Sequence, residues 1–147
     1  MASIFACHDS ATVDPQEDYI VFGQFNGFCI GESCIEFFKI TPSRLLESNV
    51  DEYTEGGFYS FEDFHDLSDD KFQLTKDLGE FMPQQLWAES TSHLGHADVS
   101  DVGSLYFEIS NASGHRYWVF ENGDFDMPQV YSEFMNKIRE KISIINQ

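Results

Sequence analysis

Basic residues are scarce in this sequence: 8 Lys and Arg stand against 26 Asp and Glu, a formal charge of −18 over 147 residues. So few cations cannot displace counterions from a nucleic-acid backbone or neutralise an anionic bilayer, so the sequence argues against both as partners. Long apolar runs are missing too: nothing approaches the roughly 18 consecutive apolar residues of a membrane-spanning helix. There are three cysteines, an odd number that cannot form a complete disulfide framework, and this points to a reducing compartment. The opening MASIFACHDS has neither the cationic region nor the apolar core of a secretory signal, so the expectation is a cytoplasmic protein. No repeat and no linker divides the chain, which reads as one domain over residues 1–147.

What is abundant is aromatic. Fifteen Phe, six Tyr and two Trp lie within a 41% hydrophobic composition. Disordered acidic chains lack such content, and a globule of this length can bury about 70% of its unfolded surface. The surplus negative charge therefore sits on a folded body, where it would attract cations or a basic protein.

Two short β-rich runs, Tyr19–Phe22 and Cys34–Ile40, with a third at Leu45–Glu47, predict an antiparallel meander. In the second run Ile35, Phe37 and Lys39 share one face, and Glu36, Phe38 and Ile40 the other. The spacing predicts a helix over about 69–80, capped by Ser68 and opened by Asp69 and Asp70, with Leu74, Leu78 and Phe81 toward the core. Leu105, Phe107 and Ile109 alternate inward, Asn111–Gly114 is a turn, and Tyr117–Phe120 returns. Asp126 then caps a long helix whose stripe is Val130, Phe134, Ile138, Ile142 and Ile145. The expected architecture is α+β: an antiparallel sheet, from the meander and the C-terminal hairpin, packed against a middle helix and a long C-terminal helix.

The run FGQFNGFCIGESC (22–34) tests several chemistries. It is no phosphate cradle, because it leads into a strand and its one charge is Glu32. Cys29 and Cys34 have four intervening residues and no second pair, which suits neither a zinc knuckle nor a C-x-x-C redox pair. The reading preferred on sequence is an irregular hairpin, with glycines at close approaches and the thiols filling space. YIVFGQFNGFCIGESCIEFFKI, together with SLYFEIS and the proline-started terminal helix, resembles a pattern in small uncharacterised bacterial proteins. That resemblance implies a hairpin-and-helix fold and no catalytic residue.

No enzyme emerges. Acid pairs such as Asp63 with Asp66 are expected by chance among 26 carboxylates. His8-Asp9-Ser10 has triad residue types without a nucleophile elbow, and Glu121–Asp126 lacks a full calcium loop. No cofactor is expected. One metal alternative stands: a loop gathering His93, His96 and Asp98, with Asp101 nearby, as a two-His-one-carboxylate site with a hydrolytic metal-bound water. From Glu47 to Asp70 nine carboxylates occur with no Lys or Arg. Within that stretch Phe58, Tyr59, Phe61, Glu62, Asp63 and Phe64 combine aromatic anchors with acids, a composition suited to docking a basic protein. The leading expectation is accordingly an acidic, non-enzymatic binding protein of inhibitor or immunity type. The alternatives are the metal site or a structural domain dimerising through a strand edge.

Overall fold

The computed structural model describes residues 17–25, 34–50, 52, 57–95, 103–121 and 127–147. Among the described residues seven strands form one sheet: β1 (Tyr19–Phe25), β2 (Ile35–Ile40), β3 (Leu45–Ser48), β4 (Phe64–Asp66), β5 (His93–Leu94), β6 (Ser104–Asn111) and β7 (Gly114–Phe120). Their order across the sheet is β4-β3-β2-β1-β6-β7-β5. All neighbours are antiparallel except β5 on β7. The α-helices among the described residues are α1 (Asp69–Thr75) and α2 (Gln129–Ile145). This is the expected α+β arrangement, with the meander and the C-terminal hairpin joined through β1 and β6. Both edge strands are very short, which limits edge-to-edge pairing.

Register explains the core. Phe22 pairs with Phe38 on one side and Phe107 on the other, and Phe107 pairs with Trp118. Four rings thus cross four strands in one row, all fully buried under the helices with Phe134, Ile138, Ile142 and Ile145 of α2. Burying a side chain of this size contributes about 1.5–3 kcal/mol. Among the described residues, no helix is long and apolar enough to cross a membrane.

The middle helix departs from its predicted phase. Ser68 caps it as expected, its Oγ accepting from the Lys71 N–H at 3.4 Å. The α-helix stops at Thr75, and a turn leads into a 3-10 segment at Leu78–Phe81. The turn breaks the i, i+4, i+7 phase, so only Leu78 of the predicted stripe is buried. Leu74 is 56% exposed and Phe81 42%, while Phe72 and Thr75 turn inward. In α2 the stripe holds from Phe134 onward, but Val130 is exposed and Tyr131 and Met135 take the inner positions. The helix starts at Gln129 after Pro128, with no side-chain cap; the predicted cap, Asp126, lies outside the described residues.

The second face of the sheet is the unexpected part. Tyr106 and Glu108, outward by alternation, are 1% and 2% exposed. Tyr106 belongs to a second apolar cluster with Val21, Phe37, Tyr59 and Val119, bordered by Tyr19, Phe25, Ile35, Phe61 and Tyr117, and Glu108 sits beside it, paired with Val21 and bonded to the Tyr106 hydroxyl. Gly23 makes this layer possible. It pairs with Phe37 and Tyr106, whose rings meet at 5.5 Å, and a Cβ there would collide with the Glu36 carbonyl and the Phe37 ring.

Candidate functional site

Residues 57–61 form a strap over this second face, held down by tyrosine hydroxyls. The Gly57 N–H donates to the Tyr117 hydroxyl (3.0 Å) and the Tyr59 N–H to that of Tyr106 (2.9 Å). The Tyr59 hydroxyl donates to the Val50 carbonyl (2.7 Å) and sits 2.9 Å from Ser48 Oγ, while its ring stacks on Phe37 at 3.9 Å. Gly57 has φ of 101°, a backbone state that favours glycine where the strap begins.

Beneath the strap lies a buried carboxylate. Glu108 Oε1 accepts from the Tyr106 hydroxyl (2.7 Å); Oε2 accepts from the Tyr19 hydroxyl (2.8 Å) and lies 2.9 Å from His115 Nε2. A carboxylate buried this deeply is tolerable only because several donors surround it. Burial, reinforced by the Glu108 charge and hydrogen bond, pushes both tyrosine hydroxyls well above the usual phenol range. Phe58 stacks on the His115 ring at 3.9 Å. A continuous polar chain therefore runs from the strap backbone through Tyr106 to Glu108 and His115. These groups are filled by one another, which makes the cluster an anchor for the strap.

The six residues singled out in the acidic–aromatic stretch divide by role. Tyr59 is buried and structural. Phe58 (47%) and Phe64 (38%) are exposed, Phe61 is half-buried, and Glu62 and Asp63 are exposed. Phe61 and Phe64 stack at 5.5 Å. The stretch thus presents rings and acids together on one surface, with its backbone fixed to the sheet. Sequence reasoning missed Tyr19, Tyr106, Glu108, His115 and Tyr117, which do the fixing. The available signal was parity, since these polar residues occupy the same face of three adjacent strands.

The cations lie mostly elsewhere and are internally committed. Arg116 reaches the carbonyls of Leu86, Trp87, Glu89 and Thr91, at 2.6–3.4 Å, and tethers that segment beside β7. Lys141, buried, donates to the Leu74 carbonyl and stands 2.6 Å from Asp77 Oδ1, a charge pairing outside hydrogen-bond angles. Lys71 donates to the Ile145 carbonyl, and Lys137 pairs with Glu140.

Of the metal alternative, His93 sits in β5, exposed, its Nδ1 3.9 Å from Glu121 Oε1. His96, Asp98 and Asp101 lie outside the described residues. Among the described residues no group of three or more His, Cys, Asp or Glu is gathered as an ion would require. The Gly/Cys run needs one correction. Cys34 is not a space-filling free thiol but disulfide-bonded, to a partner outside the described residues, where Cys29 also lies. On the helix side, an open cleft of about 320 Å³ lies between the cross-strand row Ile40, Ile20 and Ile109 and the 3-10 segment, with Lys76, Asp18 and Glu80 also in its lining. Compared with known proteins, the chain matches no family model and no curated protein resembles it significantly.

Proposed function

We propose that this chain is an acidic binding protein, of inhibitor or immunity type, that captures a basic partner on the surface formed by Phe58, Phe61, Glu62, Asp63 and Phe64. The observation that carries this reading is the coexistence of exposed rings with a fixed backbone. Phe58 and Phe64 are left to solvent at the cost of about 25 cal/mol per Å² of apolar area, while four hydrogen bonds and ring stacking hold the strap beneath them. A preorganised backbone loses little entropy on binding, and aromatic anchors ringed by carboxylates fit a partner whose contact residues are cationic. The Cys34 disulfide favours an oxidising compartment for this activity over the cytoplasm expected from the sequence.

The test is calorimetric titration with a lysine- and arginine-rich peptide at two salt concentrations. Affinity should fall as salt rises, because exposed charges are screened beyond about 8 Å at physiological ionic strength. It should also fall about tenfold or more in Phe58→Ala/Phe64→Ala, since hot-spot rings each carry about 1–2 kcal/mol. An affinity indifferent to both rings would reduce the interaction to bulk charge and defeat the reading.

A further inference from the structure

The cations that remain on the second face sit over aromatic rings. Lys39 Nζ is 4.3 Å from the Tyr19 ring centroid and 5.9 Å from that of Phe61. The Arg44 guanidinium is 6.0 Å from the Phe64 ring, with Nη1 3.3 Å from Asp66 Oδ1. With Phe61 and Phe64 stacked on each other, the surface is a row in which Tyr19, Phe61 and Phe64 carry one cation at each end. A ring face attracts a cation within about 6 Å of its centroid through its quadrupole. The Tyr19 ring is the strongest member, because its hydroxyl donates to the Glu108 carboxylate and so leaves more electron density on the ring.

Lys39 and Lys141 are held in opposite ways. Lys141 is buried against Asp77 and a carbonyl. Lys39 is half-buried and, among the described residues, makes no ion pair; its ammonium rests on rings alone. An ammonium held only by ring faces can be exchanged for another cation at little cost, whereas a buried ion pair cannot.

We infer that the Tyr19–Phe61–Phe64 row is a receptor for lysine and arginine side chains, and that Lys39 and Arg44 are internal occupants which a partner's cations displace. This rests on the binding reading and adds to it the chemistry recognised and a built-in competitor. The protein's own cations occupy part of the ring surface when no partner is present and set a threshold that weakly basic proteins do not pass.

The experiment titrates the same lysine- and arginine-rich peptide into the full chain and into Lys39→Gln, Lys39→Met, Arg44→Gln and Lys76→Gln. Lys76→Gln removes the same charge at the cleft on the helix side and measures the bulk electrostatic effect. Lys39→Met keeps an apolar stem against Tyr19 and Phe61, should the glutamine variant disturb packing. Emptying a ring site should tighten binding about two- to fivefold beyond Lys76→Gln, the fold-change that a cation–π contact at an exposed site represents. Peptide bound by the full chain, with Lys39 and Arg44 variants no tighter than Lys76→Gln, overturns the competitor inference and leaves the binding reading intact. No peptide bound by any variant overturns both.

Discussion

On one face of the sheet Phe38, Phe22, Phe107 and Trp118 meet two helices through apolar contact. On the other, Phe37, Tyr106 and Tyr117 meet a five-residue strap that is hung from hydroxyl groups. The same strands build both layers, yet the first relies on area removed from water and the second on directional bonds around Glu108. Apolar layers tolerate repacking but suffer from lost volume. Polar networks are sensitive to losing a single partner, because the groups left behind stay buried and unmatched. The second layer is thus suited to fixing the strap in one place without covering its outer rings.

Four substitutions sharpen that contrast. Trp118→Ala on the helix side should cost the most, about 3–5 kcal/mol by chemical denaturation, from lost volume and the lost bond of its indole N–H to the Leu86 carbonyl. A loss below 1 kcal/mol would mean that the aromatic row is not the main core. Glu108→Leu removes no volume but strips Tyr19, Tyr106 and His115 of their acceptor, and should cost about 2–4 kcal/mol. It should also release the strap, seen as rapid hydrogen exchange at the Tyr59 amide. A neutral Glu108→Leu would show that the two faces do not differ as described.

The smallest effect is silent at neutral pH. Tyr106 holds its proton more firmly in the folded protein than in the unfolded chain, whose tyrosines titrate near 10. Its contribution is therefore complete below about pH 10 and is lost as pH rises further, since the unfolded chain then releases protons first. On the helix side, Tyr131 is pushed up to about 12 by burial and its bond to Glu89, so alkaline loss should have a part from each face. Tyr106→Phe and Tyr131→Phe should each flatten the stability profile above pH 10. Identical alkaline slopes in both variants and the unmodified chain would contradict these assignments.

How much was legible in the sequence follows the same division. Period-2 alternation in β6 and the i, i+4 stripe of α2 depend on local spacing, so the helix-covered layer could be read directly. The strap could not, because residues 57–61 meet Tyr106 and Tyr117 across 47 and 60 positions of chain. Tyr106 and Glu108 looked solvent-facing for that reason alone. Phe58 and Phe64, singled out from the sequence, are exposed, whereas Tyr59 among them proved to be a buried tether. The α1 phase failed because a turn after Thr75 leaves no trace in hydrophobic spacing.

The most direct test of the account is an amide and aromatic NMR titration of the full chain with the basic peptide. The predicted result is a set of perturbed signals confined to Phe58, Phe61–Phe64, Tyr19, Lys39 and Arg44, with the helix-side residues Trp118 and Ile138 unmoved. Shifts spread evenly over the acidic surface, or centred on the cleft beside Lys76 and Glu80, would contradict it.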